Sequence, residues 1–139
     1  MPRGSHQRRR GRQRRRERGQ ATVELALMLP VIVLFALVVA QAGLVAKDLL
    51  LVNHAAREGA RAAAVNPTQG AAVAGASGAS SLGADRMSVS LSGGRSEGDL
   101  ATTTVVYRSP TNVPLVGALV GDVTIRAEVT MRVEGPPTG

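Results

Sequence analysis

The chain contains no cysteine and no tryptophan, and its only aromatic residues are Phe35 and Tyr107. The absence of cysteine excludes a disulfide scaffold and any thiol chemistry. A chain of 139 residues is long enough for one small domain. With so few large side chains that domain buries little core, which favours a protein that relies on partners.

Residues for catalysis or metal binding are equally scarce. The two histidines, His6 and His54, are far apart in the sequence and neither has a neighbouring cysteine or second histidine. The sequence has no G-x-S-x-G motif, no H-E-x-x-H motif and no paired carboxylates. We therefore expect no enzyme activity, no catalytic residue, no metal site and no cofactor. His54 is interpreted as a solvated residue on a helix.

The positive charge is concentrated in a leader, residues 1–19. Nine of the 17 basic residues and one of the 10 acidic residues lie there, so the leader carries +8 and the rest of the chain −1. Its Arg-, Gly- and Gln-rich composition predicts disorder. An arginine-rich arm that binds nucleic acid is one alternative, although no aromatic or folded partner accompanies the leader.

Residues 25–46 follow without a single charged residue. As a helix they would be about 33 Å long, and a bilayer core is about 30 Å thick. A buried core helix is the alternative, but nothing else in the chain is large enough to enclose one. We predict a single transmembrane span with the basic leader in the cytoplasm and the remainder outside.

The junction between leader and span contains Gly19, Gln20 and Glu24. A carboxylate at the rim of a membrane helix is costly unless it meets a cation, and such residues are usually functional. An interfacial glutamate that reaches water is the alternative.

Beyond the span the helix is predicted to continue to Asn66-Pro67, which ends it. At 100° per residue its polar side chains share one arc and its small apolar ones the opposite arc. The polar arc holds Asn53, His54, Arg57, Glu58 and Arg61, and the apolar arc holds Val52, Ala55, Ala56, Gly59 and Ala63.

The remaining chain, 67–134, predicts a small α+β domain. A loose helix over 69–82 is expected, with Thr68 near its N-cap and a flexible linker as the alternative. Alternation and β-branched residues predict three strands, which should form an antiparallel sheet with one face on a helix; they cover 87–92, 101–109 and 122–134. The apolar loop 113–120 has no role assigned by sequence, and the tail 135–139 should be disordered.

Three stretches together carry a family resemblance: RERGQATVELALMLP, NHAAREGARAAAV and the ending YRSP…PLVGALVGDVTIRAEVTMRVE. The first resembles the processing site of type IV pilin-like proteins. All three resemble the TadE-like pseudopilins of the tight-adherence (Tad/Flp) pilus system. Many relatives have an aromatic residue after the glutamate, whereas this chain has Leu25.

The resemblance implies processing and assembly. A prepilin peptidase would cut after Gly19, so that Gln20 becomes the N-terminus and Glu24 the fifth residue. Glu24 of one subunit would then neutralise the new α-amine of Gln20 in a neighbour, since each charge alone is expensive at the membrane rim.

The implied fold is α+β and type IV pilin-like, with a long helix (20–66), a short second helix and a small antiparallel sheet. The implied function is a structural or assembly role as a minor pilin or pseudopilin. Its partners would be pilin-like subunits, the pilus assembly machinery, the peptidase and lipid, with no nucleic acid or small-molecule substrate. An uncleaved, signal-anchored protein whose outer domain binds a ligand or surface is the alternative. Whether the protein enters the filament, primes it or stays in the membrane is left open.

Overall fold

The computed structural model describes residues 6–134, with the backbone alone described for residues 6–19 and Leu119. The first element is helix α1, His6–Val65, which continues through Pro30. By its contacts the chain divides into two compact units, one ending at Val39 and the other beginning at Ala40. The two units are described separately below.

The first unit consists of helix throughout its described part. The leader was predicted to be disordered, but its residues 6–19 are helical. Arg, Gln and Glu have high helix propensity. In addition, residues that extend an existing helix do not bear the free-energy cost of helix nucleation. The rest of the leader and the predicted disordered tail, 135–139, lie outside the described residues. From residue 20 to Val39 every side chain is exposed except that of Leu37, which is half-buried.

In the second unit α1 ends at Val65, immediately before the predicted stop at Asn66-Pro67. The two predicted arcs are confirmed. The small apolar arc is buried: Val52, Ala55, Ala56, Gly59 and Ala63. On the polar arc, His54, Arg57 and Arg61 are exposed, and Asn53 and Glu58 are half-buried.

Helix α2, Gln69–Gly78, confirms the predicted second helix against the linker alternative. The Thr68 hydroxyl caps it by accepting a hydrogen bond from the Ala71 N–H at 3.2 Å. The helix ends at Gly78 rather than at residue 82, since the glycines and serines at its end have low helix propensity. It lies very close to α1. A β-carbon placed on Gly75 would be 2.7 Å from the Ala62 β-carbon.

The three predicted strands are present and form one antiparallel sheet in the order β1-β2-β3. They are β1 (Met87–Gly93), β2 (Leu100–Ser109) and β3 (Val123–Arg132). A short 3-10 turn, Ala84–Arg86, leads into β1. The α+β class with one long helix, one short helix and a three-stranded antiparallel sheet is therefore confirmed.

The core lies between α1, α2 and one face of the sheet. Its central side chains are small or branched: Val52, Ala55, Ala56, Ala76, Val105, Tyr107, Ile125 and Ala127. The other face of the sheet carries Ser, Thr and charged side chains, as the alternation predicts. One free edge is partly covered, because the Gln69 amide donates to the Val89 carbonyl at 2.6 Å and accepts from the Leu91 N–H at 2.8 Å.

Two contacts align the sheet along the outer part of α1. The Ser109 hydroxyl, at the end of β2, donates to the Asp48 carboxylate at 2.7 Å. The Glu134 N–H, just after β3, donates to the Ala64 carbonyl at 2.8 Å. The strands therefore run along the helix. The β2–β3 connection lies at the Asp48 end and the β1–β2 connection at the Ala64 end.

The β2–β3 connection contains an element that the sequence analysis did not predict. A five-residue helix, α3 (Val116–Val120), forms within the predicted apolar loop. It is preceded by Leu115, whose φ of 68° lies in the left-handed region that bulky residues avoid.

Candidate processing and assembly site

The three residues predicted for processing, Gly19, Gln20 and Glu24, lie on the continuous backbone of α1. Gln20 and Glu24 are four residues apart, which places their side chains on the same helix face one turn from each other. Both side chains are exposed. The pair is therefore accessible from outside the chain, as both a peptidase and a neighbouring subunit would require.

Glu24 opens an apolar stripe on α1. With Leu27, Met28, Val31 and Ile32 it lines one shallow groove, and the spacing of three and four residues is that of one helix face. Among residues 20–134, whose side chains the structure describes apart from Leu119, the ion pairs are Arg86–Asp85 and Arg126–Glu128, so Glu24 has no cationic partner within that range. Its carboxylate is free to meet a cation supplied by another molecule.

In the intact chain Gln20 contributes only a peptide nitrogen within the helix. A cut after Gly19 converts that nitrogen into an α-amine with a usual pKa near 8, which is largely charged at neutral pH. Side chains on a helix tilt toward its N-terminus, so the Glu24 carboxylate is directed toward the new end. A cut after Gly19 would therefore place an anion and a cation about one helical turn apart on the same helix.

The helix that carries this pair is long and apolar enough over Gln20–Val65 to cross a membrane. No residue in its most apolar 18-residue stretch is buried. Large side chains such as Leu27, Ile32 and Phe35 are between 57% and 71% exposed. A continuous apolar surface of this kind is unusual in water and typical of a contact with lipid or protein. These features suggest membrane anchoring.

The second unit also has a concave surface, which the sequence analysis missed. A cleft at the outer face of the sheet is lined by charges of both signs, Asp85, Arg86, Arg108 and Asp122. These residues come from three separate segments, and only the pairing of Met87 with Tyr107 in the β1–β2 register brings the first two near Arg108. No sequence signal could have indicated the cleft before that register was known.

Tyr107 lies behind this cleft in the core, and its pKa is raised above the usual value. Burial is the largest cause, followed by the negative charge of Asp48, while Arg86 acts in the opposite direction. His54 is exposed. Among the side chains that the structure describes, those of residues 20–134 apart from Leu119, no three His, Cys, Asp or Glu are grouped to hold a metal ion.

The comparisons with known proteins concern α1. A family model described as TadE-like protein matches residues 19–61. No curated protein and no solved structure matches the chain. The match begins at Gly19 and ends at Arg61, so it contains Gln20, Glu24, the apolar span and all of the small apolar arc except Ala63. The TadE-like family is a structural, pilus-related family that is not known to be enzymatic. The match therefore suggests a component associated with a Tad pilus. The match is to the family suspected from the sequence, and over residues 19–61 this chain is similar to TadE-like proteins.

Proposed function

We propose that this protein is a minor pilin or pseudopilin that serves as a structural or assembly component of a bacterial Tad (Flp) pilus. The observation that carries the proposal is the family match, which starts at the glycine where a prepilin peptidase would cut. The exposed Gln20–Glu24 pair supports it, because a new N-terminus and a free carboxylate then lie on one face of the helix.

The proposed arrangement is a single-pass protein of the bacterial cell membrane. Nine leader arginines keep the N-terminus in the cytoplasm by the positive-inside rule. The second unit lies outside, with access to other pilin-like subunits. Glu24 of one subunit pairs with the α-amine of Gln20 in the next, which neutralises two charges that would each be costly at the rim of the membrane.

The decisive experiment is the mass of the mature N-terminus. The full chain is expressed with its prepilin peptidase, and we expect residues 1–19 to be removed so that the chain begins at Gln20. Gly19→Leu should prevent removal, because a bulky side chain replaces the small residue at the cut. Gly11→Leu, a matched change within the leader, should leave processing intact.

Two outcomes would contradict the proposal. A mature chain that still begins at Met1 or Pro2 in the presence of active peptidase supports the uncleaved, signal-anchored alternative. Loss of processing in both glycine variants would show that the leader as a whole, and not Gly19, is recognised.

A further inference from the structure

The β2–β3 loop, residues 110–121, differs in chemistry from the connection at the opposite end of the sheet. Its 12 residues include no charged side chain, whereas the β1–β2 connection contains Arg95, Glu97 and Asp99. Two of its large side chains point outward, with Leu115 65% exposed and Val120 63% exposed. The loop therefore presents an uncharged surface with two exposed large apolar side chains at one end of the sheet.

The loop is held in a compact shape by its own hydrogen bonds. The Thr111 hydroxyl donates to the Gly121 carbonyl, and the Thr111 N–H donates to the Asp122 carboxylate at 3.3 Å. Inside it, the Gly117 N–H donates to the Val113 carbonyl at 3.0 Å. Val116 is buried. The outward position of Leu115 is thus part of an ordered structure, and the left-handed backbone there is maintained despite its strain.

The loop lies where α1 would leave the lipid. Ser109, the residue before it, is hydrogen-bonded to Asp48, which is two residues beyond the charge-free stretch 25–46. Val123, the residue with which β3 begins, packs on the same core cluster as Val45, and Val45 is itself within that stretch. Both ends of the loop are therefore fixed beside the last turns of the predicted span.

We propose that the β2–β3 loop inserts Leu115 and Val120 into the outer interface of the lipid bilayer, as a second membrane contact beside the span. The proposal rests on the membrane anchoring included in the proposed function. Apolar side chains that enter the region between headgroups and acyl chains gain burial there. Charged residues around the base of the loop, Lys47, Arg108 and Asp122, would remain at headgroup level, where both signs are solvated.

Lipid fits this surface better than a protein partner does. The apolar stripe of α1 already requires lipid or protein around it, and residues 40–46 of α1 belong to the same compact unit as the loop. A surface without a charge offers little for electrostatic recognition, but it suits a contact that needs mainly apolar area. The loop would also limit rocking of the domain on its single anchor.

The test uses the absence of cysteine from the chain. Single cysteines carry a bimane fluorophore in the full-length protein, reconstituted into vesicles of phosphatidylethanolamine and phosphatidylglycerol with and without nitroxide-labelled lipid. The test positions are Leu115→Cys and Val120→Cys. The matched control is Leu100→Cys, a leucine of similar exposure, 59%, at the other end of the sheet. Leu34→Cys reports the span itself.

We expect bimane at 115 and 120 to emit at shorter wavelength than at 100 and to be quenched by nitroxide near the headgroups. Bimane at 34 should be quenched by nitroxide deep in the acyl chains. If 34 is quenched while 115 and 120 behave like 100, the loop proposal is wrong and the anchor stands. If 34 is not quenched, the anchor itself fails and the loop proposal fails with it. Protection of 115 and 120 only after other pilin-like subunits are added would assign the surface to protein and overturn the lipid contact.

Discussion

The close approach of α1 and α2 makes a sharp prediction for Gly75→Ala. An added β-carbon would be 2.7 Å from the Ala62 β-carbon and 2.7 Å from the Glu58 carbonyl oxygen. Carbon atoms in contact are ordinarily about 3.5–4.0 Å apart. Neither neighbour is the end of a flexible side chain, so the two helices must separate to accommodate the methyl group.

The magnitude follows from two opposing effects. Overpacking of this kind costs about 1–3 kcal/mol. Alanine in place of glycine inside a helix recovers up to about 1 kcal/mol of helix propensity. We therefore expect a net loss of up to about 2 kcal/mol in the free energy of unfolding of the domain. For a unit of this size that corresponds to a fall in Tm of up to roughly 16 °C.

Two glycines in the same helix provide matched controls. A β-carbon on Gly70 or on Gly78 would have no atom within 4 Å, so alanine there should be neutral or stabilising by up to about 1 kcal/mol. Gly59→Ala is intermediate, because its nearest atoms are 3.0–3.2 Å away and include the Thr103 methyl group. Its loss should be smaller than that of Gly75→Ala.

The assay is thermal unfolding of the full chain in detergent, followed by the fluorescence of Tyr107, which is the only tyrosine and lies in the core. The reasoning requires opposite signs for Gly75→Ala and Gly70→Ala. If both variants raise Tm, the helices are not in the tight contact described, and the low helix propensity of glycine is the only effect at work.

Two further predictions concern titratable groups. The Tyr107 absorbance should titrate above pH 10 in the folded chain and near 10 in denaturant. The stability of the domain should then fall as pH rises through 10 toward the raised pKa of Tyr107. Tyr107→Phe should remove this loss. The prediction is contradicted if the variant loses stability above pH 10 as the wild type does. Glu24→Gln should leave membrane insertion and cleavage intact but weaken the association with pilin-like subunits, measured by co-purification. The loss should be about 3–5 kcal/mol if the pair of Glu24 and the Gln20 α-amine is shielded from water and about 0–1 kcal/mol if water reaches it. Glu97→Gln is the control, and unchanged co-purification would make Glu24 a solvated interfacial acid.

Local sequence patterns predicted the helices and strands well, because each of these elements depends mainly on residues that are close together in the chain. The alternation of 122–134 locates β3 to within two residues of its observed bounds, Val123–Arg132. The two arcs of α1 follow from helix geometry alone. The prediction of disorder for the leader was wrong over residues 6–19. Composition indicates the tendency to disorder, but it does not include the low cost of extending a helix that already exists.

Features that depend on distant residues were beyond this reasoning. Gly75 and Gly78 have the same low helix propensity, yet of these two only Gly75 has a neighbour in the place of its missing β-carbon. The hydrogen bonds from Gln69 to β1 join residues 20 and 22 positions apart. In the candidate site the sequence predicts that Gln20 and Glu24 lie on one helix, but not that this helix includes Gly19. The charged cleft requires the strand register.

The composition of α1 reflects two different neighbours along one helix. Along most of the span its large side chains are exposed, as expected for a surface around which lipid packs without a fitted partner. From Ala55 to Ala64 its buried face is almost entirely Ala and Gly, because α2 and the sheet must approach closely to bury anything in a chain with so few aromatics. The TadE-like match ends at Arg61, inside this second part. The matched part of α1 therefore includes Gly59, against which only small residues can pack. Helix α2, outside the match, contributes Ala72 and Ala76 at that contact.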